Sequence, residues 1–226
     1  MTTSGTTSFS PAINEIIEEA YERAGFEIRS GYELKTAVRS LNFLLMEWAN
    51  RGLNLWAIDQ QTTTLTAGSS TLTLPADTID TIEHEIRLTT GSGGQTDLYV
   101  EKINVSQWAQ IPNKLSPGRP VQCYVQRLSD APVINFWPQP DQAYTFTYWR
   151  LRRLQDAGSQ INTPDVPWRF IPALVAGLAY YVAVKKSNDI QRVQGLKLMY
   201  DEAWQLASDE DRDRSSFMFT PYVSVW

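Results

Sequence analysis

The sequence predicts an α+β protein, mainly helical. It reads as a four-helix bundle formed by the N- and C-terminal halves, with an inserted antiparallel β domain and an extended C-terminal tail. Three observations predict this. The stretch Asp165–Ser187, DVPWRFIPALVAGLAYYVAVKKS, carries no charge from Phe170 to Val184. Its apolar residues keep to no single face, and a helix that is apolar all round is a buried one that other helices must surround. Segments with a wide apolar stripe at helical spacing lie near both ends of the chain. Between them the period shortens toward two, and glycine and proline punctuate short runs. Residues 10–57 and 160–212 are therefore assigned to one discontinuous helical domain, 58–159 to the β insertion and 213–226 to the tail.

Taken in order, the polar arm MTTSGTTSFS lacks the basic and apolar regions of a signal peptide. Ser10 is expected to cap, and Pro11 to open, a first helix carrying Ile13, Ile16, Ile17, Ala20, Tyr21 and Ala24 on one side. Gly25 is its expected stop. Ser30 and Glu33 stand at capping-box spacing before a second helix with Leu34, Ala37, Val38, Leu41, Leu44, Leu45 and Trp48. From Leu53 the chain reads as extended. Thr-rich alternation on both sides of Ala67-Gly68-Ser69-Ser70 predicts a hairpin. Strands are expected over Ile79–Thr89, Leu98–Ile103, Gln122–Arg127, Val133–Trp137 and Tyr144–Leu151, with a helical turn or two over Asn104–Ile111. Pro132, Pro138 and Pro140 keep these strands short. Asp165 is the expected cap of the central helix, Pro167 fits its first turn, and Lys185 and Lys186 end it where the dipole favours cations. A last helix is expected from about Asp189 to Arg212, with Ile190, Val193, Leu196, Tyr200, Ala203, Trp204 and Ala207 on its apolar side.

Composition excludes several function classes. The 226 residues are 42% hydrophobic and 20% charged, which suits a globular chain with a sizeable core. A net charge of −5 gives no broad attraction to nucleic acid or anionic lipid. The Phe170–Val184 run is shorter than the roughly 20 apolar residues of a membrane span and contains Pro172. One cysteine, Cys123, permits no intramolecular disulfide and no cysteine-based metal site.

No catalytic set is legible. His84 is the sole histidine, in a strand between Glu83 and Glu85, which point to the opposite face. Metal ligation or a Ser-His-Asp triad would need partners the sequence does not offer, and no G-x-S-x-G occurs. Cys123 in VQCYV reads as a packed thiol. Glu15, Glu18, Glu19 and Glu22 crowd the first helix, and a glycosidase needs only two carboxylates, so a peptidoglycan-type hydrolase is the enzymatic alternative. Their spacing follows an exposed helical face. Gly91-Ser92-Gly93-Gly94 lacks the G-K-[ST] ending of a phosphate loop. Arg150-Leu151-Arg152-Arg153 is the one basic cluster, read as a solvated strand end, with an acidic partner or the DNA backbone as the alternative. No cofactor is expected. Eight Trp, ten Tyr and the apolar tail residues Phe217, Met218, Phe219, Tyr222, Val225 and Trp226 point instead to an assembly component whose tail another protein covers.

Five segments carry a resemblance across most of the chain: LNFLLMEWANRGLNLWAID (Leu41–Asp59), IPNKLSPGRPVQCYVQR (Ile111–Arg127), INFWPQPDQAYTFTYWRLRRLQDAG (Ile134–Gly158), DVPWRFIPALVAGLAYYVAVK (Asp165–Lys185) and DEAWQLASDEDRDR (Asp201–Arg214). In this order they resemble the head-to-tail adaptor proteins of tailed phages, especially short-tailed ones, the group that includes tail tubular protein A. The resemblance implies a non-enzymatic virion protein of the head–tail neck, made in the host cytoplasm. It implies a homo-oligomeric ring, normally a dodecamer, beneath the portal protein. The ring would extend the DNA channel and offer a docking platform to the next tail or nozzle component. The helical bundle would face the portal and neighbouring copies, the β region the tail, and the residues of the tail from Phe217 to Trp226 would grip the portal. DNA would pass without sequence-specific binding, as the acidic net charge allows, and no membrane is involved. Another tail-completion ring protein is the nearest alternative within the virion.

Overall fold

The computed structural model describes residues 3–52, 55–89 and 94–212. The chain divides into two compact units, one formed by residues up to 41 together with those from 159 onward, the other by 42–158.

The first unit is helical. Helix α1 (Ile13–Ala24) begins after Ala12, not after Ser10. The Ala12 amide donates to Glu15 Oε2 (3.0 Å), and the first-turn amides of Ile13 and Asn14 donate to the carbonyls of Asn162 (2.9 Å) and Gln160 (3.0 Å). These bonds meet the need of helix-start N–H groups without a Ser side chain. Gly25 closes α1 at φ 77°, with Phe26 N–H reaching the Tyr21 carbonyl at 2.9 Å. Helix α2 (Gly31–Ala49) opens with the capping box the sequence announces. Glu33 N–H donates to Ser30 Oγ (3.3 Å), and Ser30 N–H donates to Glu33 Oε2 (3.1 Å).

Helix α4 (Ile171–Lys186) follows a 3₁₀ turn at Trp168–Phe170, which takes the place of an Asp165 cap. Pro172 sits in its first turn, where a missing N–H costs little. Residues Ala173–Ala179, Val182 and Ala183 are buried, whereas Val184 is exposed. Helix α5 (Ile190–Glu210) is capped by the Asp189 carboxylate, which accepts from the amides of Gln191 (3.0 Å) and Arg192 (3.2 Å). Helix α4 packs between α1 and α5. Phe170 meets Trp204 edge-on (5.5 Å), and Tyr180 stacks on Tyr200 (6.5 Å).

The second unit is β-rich. A 3₁₀ turn at Leu55–Ala57 stands where the sequence reads as extended, and the elements after it are β1 (Ile58–Leu65), β2 (Thr71–Thr73), β3 (Thr78–Thr89), β4 (Gln95–Tyr99), β5 (Glu101–Lys102), α3 (Val105–Gln110), β6 (Pro117–Gly118), β7 (Gln122–Gln126), β8 (Val133–Trp137), β9 (Gln139–Pro140) and β10 (Tyr144–Arg152). One sheet runs β1-β10-β3-β4, all antiparallel. A second runs β2-β8-β7-β5, and β6 pairs with β9. Alternating residues of the two large sheets share one core, in which Phe136 meets Phe146 edge-on at 4.9 Å and Phe146 stacks on Tyr148 at 5.4 Å.

Two expectations are corrected. The chain is not a mainly helical four-helix bundle. It is an α+β structure, 39% helix and 26% strand, with several sheets. Helix α2 is shared between units: from Asn42 its residues belong with the strands, so the helical unit holds three whole helices and part of a fourth. The strand expected over Leu98–Ile103 divides at Val100 into β4 and β5, which lie in different sheets. The β3 and β10 ribbons run twelve and nine residues, and two short pairs, β5–β7 and β6–β9, are parallel. Second, β1 and β2 form no hairpin, because they lie in different sheets. The connecting turn is held elsewhere: Gly68 N–H donates to the Pro140 carbonyl and Phe136 N–H to the Ser70 carbonyl, both at 2.8 Å.

Candidate functional site

The sole histidine and the sole cysteine are both buried. His84 is fully buried on β3, stacked at 6.1 Å on Phe146, with Nε2 at 2.8 Å from Thr81 Oγ1. Burial pushes its pKa down to about 4, with the Lys102 charge adding to the effect, so it is neutral at ordinary pH. Its Nδ1 is buried with no hydrogen-bond partner among the described residues. Cys123 is buried in the same core, which pushes the thiol up to about 12 and leaves no reactive thiolate. Among the described residues no group of His, Cys, Asp and Glu is arranged to hold a metal ion. No described helix is long and apolar enough to cross a membrane.

The carboxylates of α1 separate. Glu15 is bonded to the Ala12 amide, and Glu19 pairs with Arg23 at 2.7 Å. Glu18 and Glu22 line an open surface pocket with Tyr21, Phe26 and Leu34. The basic cluster separates too, and the solvated reading fails for its first member. Arg150 is buried on β10, donating to Asp59 (2.8 and 3.2 Å), Asp77 (2.5 Å) and Thr78 (2.9 Å). Hydrogen bonding to Arg150 holds the Asp77 carboxyl below its ordinary range. Only Arg153 of the cluster is fully exposed. The glycine run at 91–94 and the tail residues Phe217, Met218, Phe219, Tyr222, Val225 and Trp226 fall, but for Gly94, outside the described residues.

What the fold presents is apolar surface. On α5, Leu198, Met199 and Leu206 are 63–73% exposed and share one face at spacings of seven and eight. The apolar side expected for α5 leaves out these three and includes Ile190, which is 72% exposed, whereas Leu196, Tyr200 and Ala207 of that side are buried; the offset of the three from it was the available signal. Tyr32, Ile161 and Trp168 are exposed on the same unit. Phe43 and Met46 are exposed on the part of α2 that belongs to the β-rich unit. There a pocket of about 300 Å³ is lined by Leu45, Met46, Ala49, Ile79 and Leu154, with Arg153 on its wall. In the helical unit a wider groove of about 530 Å³ runs past Tyr32, Arg39 and Lys185. At its wall Lys186 pairs with Glu33 (2.5 Å) and lies over the Tyr21 ring (4.7 Å). The Lys186 hydrogen bond, followed by that of the Arg29 amide, holds the Glu33 carboxyl at about 2. Burial lowers the Lys185 pKa, as does the Arg39 charge, and its ammonium donates to Ser40 Oγ. Exposed apolar residues gathered on one face are the kind of surface that marks interaction sites.

No curated protein matches the chain. Among solved structures, one described as the neck of an empty GTA particle computed with C6 symmetry aligns at 14% identity with a TM-score of 0.29, covering 83% of this chain and 84% of that one. Residues 12–223 match the family described as SU10 adaptor protein. That match takes in both units, and the chain belongs to the SU10 adaptor family, the structural head-to-tail adaptors of phages.

Proposed function

We propose that copies of this chain form a ring beneath the portal, extending the DNA channel and giving the tail its docking platform. The family match over residues 12–223 carries this reading. The exposed apolar residues on both units support it, since an isolated monomer rarely leaves such side chains in groups. The portal and the next tail protein are the partners, and the virion neck is the location. Phe217, Met218, Phe219, Tyr222, Val225 and Trp226 serve as the portal anchor. Large aromatics at these positions suit strand addition or a groove on a partner. Deleting residues 215–226 tests the anchor. The truncated chain should keep its helical circular dichroism and melting temperature and lose binding to isolated portal rings. Unchanged binding, or unfolding, would overturn it.

A further inference from the structure

The larger sheet, β1-β10-β3-β4, ends in two open edges. Among the described residues no strand pairs with the outer side of β1 or β4, and no backbone hydrogen bond beyond the ladders engages Ile58–Leu65 or Gln95–Tyr99. An open edge is a template for another chain, and proteins that avoid such pairing blunt it with Lys, Pro or a bulge. Neither edge has these guards. Strand β1 runs eight residues in unbroken register with β10, and β4 five with β3. Each edge has one charged side chain, and both are already engaged: Asp59 by Arg150 (2.8 Å) and Asp97 by Arg87 (2.9 Å).

We infer that β1 of one copy pairs with β4 of the next, so that the sheet continues from copy to copy. This rests on the ring proposed above. The sheet is antiparallel throughout, so its two edges run in opposite directions. A head-to-tail repeat that keeps strand direction therefore joins them antiparallel, and a head-to-tail joint is the kind that closes into rings. The register follows from the rows of the sheet. Thr62, Thr147, Glu85 and Tyr99 form one row across it, and Thr64, Thr145, Arg87 and Asp97 the next. A rotation about an axis along the strands sets Thr62 opposite the neighbour's Tyr99 and Thr64 opposite its Asp97. Gln60, Thr62, Thr64, Gln95 and Tyr99 are all exposed, although Thr62 Oγ1 lies 3.3 Å from Thr147 Oγ1 and Gln95 donates to Asp97 at 2.9 Å.

The test uses assembled particles carrying cysteine at Thr62 or Thr64 combined with cysteine at Tyr99 or Gln95, treated with a short bifunctional maleimide. Cys123 is buried and does not compete. At least one double variant, Thr62→Cys with Tyr99→Cys first, should give a ladder of covalent multimers, and single variants none. A Thr62→Lys, Thr64→Lys chain, which adds the missing edge guard, should fold by circular dichroism yet leave necks without the ring. Dimers from Thr62→Cys alone would mean that β1 pairs with β1 and would overturn the joint. No ladder from any double variant in necks that contain the ring overturns the joint and leaves the ring standing. Necks of unmodified particles that lack the ring overturn both.

Discussion

Replacing Arg150 separates a structural role for the basic cluster from a role at DNA or an acidic partner. In Arg150→Met the side chain keeps most of its volume and loses four charge-assisted or polar hydrogen bonds, to Asp59 twice, Asp77 and Thr78. Removing one partner of a fully buried ion pair costs about 3–5 kcal/mol, whereas an exposed pair contributes at most about 1 kcal/mol. The Arg150 side chain is 8% exposed, but Asp59 and Asp77 keep 33% and 49% exposure and can return to water. The expected loss is therefore about 2–3 kcal/mol, read by urea unfolding at neutral pH. For a chain of this length that lowers the melting temperature by about 5–10 °C. Arg153→Met, at an exposed position, should change stability by less than about 0.5 kcal/mol. The Asp77 carboxyl is depressed below its usual 3.8, so the pair's contribution is complete above that pH. It fades as the pH falls through the lowered value, and the two proteins should converge in acid. An Arg150→Met protein as stable as the parent, with particles that lose only DNA retention, would refute this reasoning and return Arg150 to a surface role.

Other outcomes follow from the same structure. Val175, 5% exposed on α4, cannot accept a charge. Val175→Asp should exceed about 4 kcal/mol of destabilisation and yield insoluble or unfolded protein by circular dichroism. His84 stays neutral when folded down to about pH 4 against 6.5 when unfolded. Stability should therefore be full above pH 6.5 and fall by about 3 kcal/mol as the pH drops to 4, at about 1.4 kcal/mol per unit. His84→Gln should flatten that slope in urea titrations. Lys186→Met should let the Glu33 carboxyl rise from about 2 toward 4.5 in an NMR titration. The Lys186–Glu33 link contributes above pH 4.5 and is lost as the pH falls toward 2, so the variant's acid transition should lose that component.

Much of the local structure was legible. The all-round apolar run around Leu174 and Leu178 announces a buried helix, because no amphipathic surface helix can be apolar on every side. Ser30 and Glu33 announce the start of α2 by a local bond that needs only correct spacing. The strand Val133–Trp137 begins and ends where its alternation does. What failed depends on partners far along the chain. Thr-rich alternation shows that β1 and β2 are extended but not which strands they join, and β10 and β8 lie at least sixty residues away from them. Arg150 reads as exposed until Asp59 and Asp77 are brought to it. The mid-helix point at Asn42, where α2 passes from one unit to the other, has no breaker to mark it. For function, the exposed face Leu198, Met199 and Leu206 stood off the buried stripe of α5, while the aromatic residues singled out in the tail lie outside the described residues.

The ring beneath the portal is tested most directly by a cryo-EM map of the neck of particles that carry this chain. Copies of the chain should close into a ring directly against the portal, with an open lumen continuous with the portal channel and the tail component seated on its far side. A map that places the chain elsewhere in the particle, or in which the portal meets the tail with no ring of this chain between them, would contradict it.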